Sequence, residues 1–108
     1  QMIFTTLDLM SPTVVTKVVD HVSANTAQCG GEITFDGGAS ITERGVCWST
    51  SPNPTTANDH SSDGNGYGSF VSTLTGLNAH TTYYVRAYAT NSIGTSYGEE
   101  RQFMTLSN

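Results

Sequence analysis

The chain has 108 residues, 36% of them hydrophobic and 12% charged, with a formal net charge of -5 and a pI near 4.8. One domain of this length buries a core without metal or disulfide support, and four cations, Lys17, Arg44, Arg86 and Arg101, cannot form the clustered basic face that nucleic acid requires. No apolar run of about eighteen residues is present, so no segment reads as a membrane span; Cys29 and Cys47 allow at most one disulfide and lack zinc-site spacing.

The chain starts at Gln1 without a signal-peptide pattern and reads as a processed segment. Ile3-Phe4-Thr5-Thr6-Leu7 matches Gln102-Phe103-Met104-Thr105-Leu106, with Phe4 against Phe103, Thr6 against Thr105 and Leu7 against Leu106. Recurrence at a separation of one domain is the mark of head-to-tail repetition. Residues 1–10 therefore read as the tail of a preceding module plus a linker, and residues 11–108 as the domain itself.

Between the matching ends, short strand-like runs alternate with Gly, Asn, Asp and Ser turns, and no helical periodicity appears. The first strand follows Pro12 over residues 13–19. Residues 26–35 alternate, so Ala27, Cys29, Ile33 and Phe35 share the buried face. Asp36-Gly37-Gly38-Ala39 tolerates positive φ and closes a hairpin into a strand over residues 41–49. Residues 50–68 form the longest loop, with space for a short edge strand. Residues 70–74 resume alternation. Residues 77–91 carry the clearest pattern, with Tyr83, Val85, Ala87 and Ala89 inward and Tyr84, Arg86 and Tyr88 outward. A last strand ends over residues 103–106.

The run Leu77-Asn78-Ala79-His80-Thr81-Thr82-Tyr83-Tyr84-Val85-Arg86-Ala87-Tyr88-Ala89, with Asn91, Gly94 and Ser96 after it, resembles the sixth-strand signature of fibronectin type III domains. The resemblance implies an all-β, seven-stranded antiparallel Greek-key sandwich and a structural corner formed by Leu77, Thr81 and Tyr83. In such a corner the Tyr ring is buried and its hydroxyl bonds backbone a few residues upstream. Residues 11–106 are also similar to the variant common in surface proteins of Bacteroidetes, through Gly30-Gly31, Asp36-Gly37-Gly38-Ala39, Glu43-Arg44-Gly45-Val46-Cys47-Trp48-Ser49, Asn53-Pro54 and Thr90-Asn91-Ser92-Ile93-Gly94-Thr95. That variant implies tandem modules in secreted or lipid-anchored proteins, hence an extracellular or cell-surface location. The second-strand Trp usual in fibronectin domains is absent here. Trp48 in the third strand is placed to fill the space beside the small Ala87 and Ala89. With Val46 and Trp48 inward, alternation turns Cys47 outward and Cys29 inward, so free thiols are expected.

Candidate chemistry is sparse. His21, His60 and His80 are scattered without a nucleophile motif, and no catalytic residue, metal ligand or cofactor is assigned. Asp59, Asp63 and Asn65 lack the alternating spacing and distal Glu of a calcium loop, so they read as a solvated turn. Gly64, Gly66 and Gly68 precede no helix that would bind phosphate. Tyr84, Arg86 and Tyr88, on the outer face, are the candidate ligand contact, suited to a glycan or a protein. The expected function is a non-catalytic spacer or adhesion link whose partners are the neighbouring modules of its own chain.

Overall fold

Alternating apolar residues fold back on one another in two antiparallel sheets, described by a computed structural model for residues 10–66 and 68–107. The Ile3 to Leu7 match therefore lies outside the described residues. The strands are β1 (Thr13–Thr16), β2 (Ala27–Phe35), β3 (Glu43–Ser49), β4 (Asp59–His60), β5 (Gly68–Leu74), β6 (Thr82–Thr90), β7 (Thr95–Tyr97) and β8 (Arg101–Met104). One sheet has the order β1-β2-β5; the other has β4-β3-β6-β7, with β8 also paired to β6. No helix occurs among the described residues. The core lies between the sheets, where Val14, Ile33, Phe70 and Leu74 of the first meet Val46, Trp48, Tyr83 and Val85 of the second. Trp48 occupies this layer at 6% exposure opposite Val85, while fully buried Ala87 and Ala89 pair with Val46 and Arg44 further along β3.

Two expectations fail at the end of β2. Residues 36–39 close no hairpin: β2 pairs with β1 and β5 while β3 pairs with β4 and β6, so the turn carries the chain from one sheet to the other. Phe35 is 44% exposed rather than buried. Thr13 pairs with Phe35 but Val14 pairs with Ile33, so β2 has an extra residue at Thr34, and the bulge turns Phe35 off the inward face. The first strand is also shorter than expected, ending at Thr16. Beyond it, contact with β2 continues through the Lys17 N–H to Gly30 and the Asp20–Gln28 bridge.

Eight strands appear where seven were expected because the last one is interrupted. β7 pairs Tyr97 with Tyr88, and β8 pairs Arg101 with Val85, which leaves residues 98–100 opposite Arg86 and Ala87 alone. The bulge withdraws a backbone partner from Ala87. Its N–H instead donates to Thr16 Oγ1 of the other sheet at 3.0 Å. The rest of Thr16 is held by the same interruption: its N–H donates to Glu99 Oε1 at 3.0 Å, and its carbonyl accepts from Arg101. A side chain on Gly98 would collide with Thr16 Oγ1, so the bulge admits only glycine there.

At the β5–β6 connection, the Tyr83 ring is buried and stacks on Phe103 at 5.8 Å. Its hydroxyl accepts the Asn78 N–H at 2.8 Å. Leu77 is buried, and Thr81 is fixed by its N–H to Thr105 Oγ1 and by its hydroxyl to the Ala79 carbonyl. Met10 and Leu106 sit at opposite ends of the sandwich. Met10 is tied past the ends of β2 and β6, through its N–H to the Gly37 carbonyl and its carbonyl to Asn91 Nδ2 at 2.7 Å. Leu106 is tied before the starts of the same two strands, to Ser23 and His80.

Thr16→Val preserves shape but strands the buried Ala87 N–H, and is expected to cost about 1–3 kcal/mol in denaturant unfolding. A cost near zero would show that the two sheets do not depend on this bond. Tyr83→Phe is expected to cost about 1 kcal/mol, because Asn78 is exposed enough for water to replace part of the lost bond. Tyr84→Phe, whose hydroxyl has no partner among the described residues, should change stability by less than about 0.5 kcal/mol. The reverse order would remove the corner as a stabilising feature.

Candidate functional site

Alternation along β6 sends Tyr84, Arg86 and Tyr88 to the face of the second sheet opposite Tyr83, Val85 and Ala87. That face is covered. After β3 the chain turns at Asn53, whose φ is 59° and whose N–H donates to Glu100 Oε1, and lays Pro54 over the strands. The Pro54 carbonyl accepts from Arg86 Nε at 3.0 Å and Nη2 at 2.7 Å. The Cys47 thiol donates to the same carbonyl at 3.4 Å. The Thr56 N–H donates to the Tyr97 hydroxyl at 3.2 Å, and the Arg86 guanidinium lies 4.3 Å from the centre of the Tyr97 ring. The loop is thus a strap bonded across β3, β6 and β7.

This packing changes what the three candidate ligand contacts can offer. Tyr88 is 0% exposed, not available at the surface. Its hydroxyl proton is shared between the Ser61 carbonyl and Glu43 Oε2, and its ring meets His60 edge-on at 5.9 Å. Burial, and secondly the hydrogen bond to the Glu43 carboxylate, push its ionisation well above the ordinary tyrosine range. Arg86 is half-buried and spends its fork on Pro54 rather than on a neighbouring acid. Tyr84 is half-buried at the β8 side, opposite Gln102. The three share a face but do not form an open aromatic platform.

Sequence reasoning missed Pro54, Tyr97, Glu43 and Ser61, which close this face. The one signal was Asn53-Pro54, because a proline with a free carbonyl and no N–H to satisfy suits a chain crossing over a sheet. Asp63 is not the solvated turn residue its sequence suggests: its carboxylate accepts from the hydroxyls of Ser61 and Ser72 and its N–H donates to the Arg44 carbonyl. Those bonds tie residues 61–63 along the β3 edge and across to β5. Asp59 remains exposed. Among the described residues no group of three His, Cys, Asp or Glu side chains is arranged to hold a metal ion.

Both thiols are free and buried. Cys29 faces the core and donates to the Lys17 carbonyl at 3.3 Å, while Cys47 lies on the far face of the other sheet beneath Pro54. Cys47 therefore points outward, as alternation requires, but reaches no solvent. Burial raises the pKa of Cys29 and lifts that of Cys47 from 9.0 to about 11, against the opposing pull of Arg86.

Neither thiol should react with a bulky disulfide reagent near pH 8 until the protein unfolds. The pH dependence follows from the raised value: below about pH 9 the thiol is protonated in both states, and above it the unfolded chain ionises first. Stability should therefore fall between pH 9 and about 11, and fall less steeply in Cys47→Ala. Parallel slopes in denaturant midpoints would show that the strap does not protect the thiol.

No protein-family model and no curated protein sequence matches the chain. Solved structures do. The sensor domain of the anti-sigma factor RsgI4 from Pseudobacteroides cellulosolvens is 17% identical, with a TM-score of 0.65 over 92% of this chain and 98% of that one. A myokine structure is 21% identical, with a TM-score of 0.62 over 91% and 98% of the two chains. The fibronectin type III domain of human KIAA0970 protein is 17% identical, with a TM-score of 0.59 over 87% and 73%. With the three-stranded and strapped second sheets in the arrangement described, these likenesses identify the fold as a fibronectin type III-like β-sandwich.

Proposed function

We propose that this sandwich is a non-catalytic extracellular spacer, one link in a tandem array on a bacterial surface or secreted protein. The observation that carries the reading is the placement of Met10 and Leu106 at opposite ends of the fold, each hydrogen-bonded to its body. A module whose chain arrives at one end and departs at the other extends an array instead of folding it back. The match of Ile3-Phe4-Thr5-Thr6-Leu7 to the segment that includes β8 supports repetition. Only residues 8–11 separate that match from Pro12, and Pro12 restricts the backbone further. The covered outer face of β6 favours a spacer over binding through Tyr84, Arg86 and Tyr88.

The array reading predicts length. A nine-residue strand such as β6 spans roughly 30 Å at about 3.3 Å per residue. Small-angle scattering from polypeptides with one, two and three tandem copies of the sequence should show the maximum dimension rising by about that amount per copy. Growth much below linear would overturn the spacer and favour a compact assembly.

A further inference from the structure

We propose that the groove at the Leu106 end of the sandwich binds a neutral saccharide unit. It has a volume of about 440 Å³ and a mainly polar wall formed by Trp48, Ser49, Asn58, Asp59, Asn78 and Tyr83. Volumes of roughly 300–1,000 Å³ are usual for small-molecule sites. The strap supplies one wall and the β5–β6 connection the other. This assignment goes beyond the spacing role and does not depend on it.

The ladder makes the juxtaposition. Asp59 pairs directly opposite Trp48, so both side chains leave the same face of the sheet, Trp48 nearly buried and Asp59 exposed. Tyr83 reaches the groove from β6, its ring buried. Its hydroxyl accepts from the Asn78 N–H, which leaves the phenolic proton to donate. Asn58 spends its Oδ1 on the Thr55 N–H at 2.8 Å and keeps its amide donors. The side chains of Asp59 and Asn78 make no hydrogen bond among the described residues. The groove therefore presents an unspent carboxylate, two amides and a phenolic donor, with two nearly buried aromatic residues, Trp48 and Tyr83, behind them.

That set selects its ligand by chemistry. An apolar molecule would bury these groups without partners, which costs more than its own burial returns. An anion such as phosphate or a uronic acid meets the Asp59 carboxylate with no cation in the wall to offset it. A vicinal diol offers paired donors to the carboxylate and acceptors to the amides.

The test is a titration followed by amide and indole NMR shifts, using cellobiose, maltose and lactose into the millimolar range. At least one sugar should give saturable shifts centred on the Trp48 indole N–H and the amides of Asn58, Asp59 and Asn78. Asp59→Ala and Asn78→Ala should each weaken that binding about tenfold or more, the usual cost of a lost charge-assisted or well-placed hydrogen bond. Both variants should melt like the parent, since neither side chain supports the fold. Absence of saturable shifts for all three sugars would overturn the assignment. So would binding unaffected by both variants, or tighter binding of glucuronate or inorganic phosphate. Scattering lengths of tandem copies are unaffected by any of these results, so the two proposals fail separately.

Discussion

Ala87 lies near the middle of β6, the strand that pairs with β3, β7 and β8, and the bulge at residues 98–100 leaves its buried N–H without a backbone partner on one side. A buried donor left in that condition is expensive. The first sheet meets the need by bringing Thr16 across, and the other arrangements at that edge follow from it. Gly98 must lack a side chain to admit the Thr16 hydroxyl, and Glu99 and Arg101 must lie on either side to take the Thr16 N–H and carbonyl. One polar contact between the sheets thus fixes the register of two strands far apart in sequence. Hydrophobic packing holds the layers together without direction, whereas this bond requires donor and acceptor to be aligned.

The second sheet uses its outer face in an economical way. Cys47, Arg86 and Tyr88 would otherwise leave a thiol, a guanidinium and a phenol on an open surface. Covering them with Pro54 and residues 61–63 turns that surface into a second, polar layer of packing. The same strap then runs on to Asn58 and Asp59, where its polar groups are no longer consumed by the sheet. The part that is satisfied internally supports the fold, and the part that is not forms the groove wall.

Strand positions and inward faces were legible because period-two alternation records them directly, as in Tyr83, Val85, Ala87 and Ala89. What alternation cannot record is whether another segment covers the outer face. Alternation therefore gives the side of the strand on which Tyr88 lies but not its complete burial. The turn at residues 36–39 has the glycines of a hairpin, yet sheet membership depends on which strands later compete for β2, and β1 and β5 do so from a distance. Phe35 left the core because a bulge at Thr34 broke the count, and bulges have no strong local signal. The groove assembles Asp59 with Asn78 and Tyr83 across separate connections, a proximity that spacing along the chain does not encode.

The Asn91 side chain makes four hydrogen bonds: its Nδ2 donates to the carbonyls of Met10 and Asp36, and its Oδ1 accepts from the N–H groups of Ile93 and Gly94. It therefore clamps Met10 to the turns that follow β2 and β6. A mechanical load drawn through Met10 and Leu106 meets this clamp before it reaches β1. Because Met10 and Leu106 are held at opposite ends, tension between them runs along the four-residue strands β1 and β8 and loads their ladders in shear. Load in shear is shared among the hydrogen bonds of a ladder, whereas unzipping breaks them in turn.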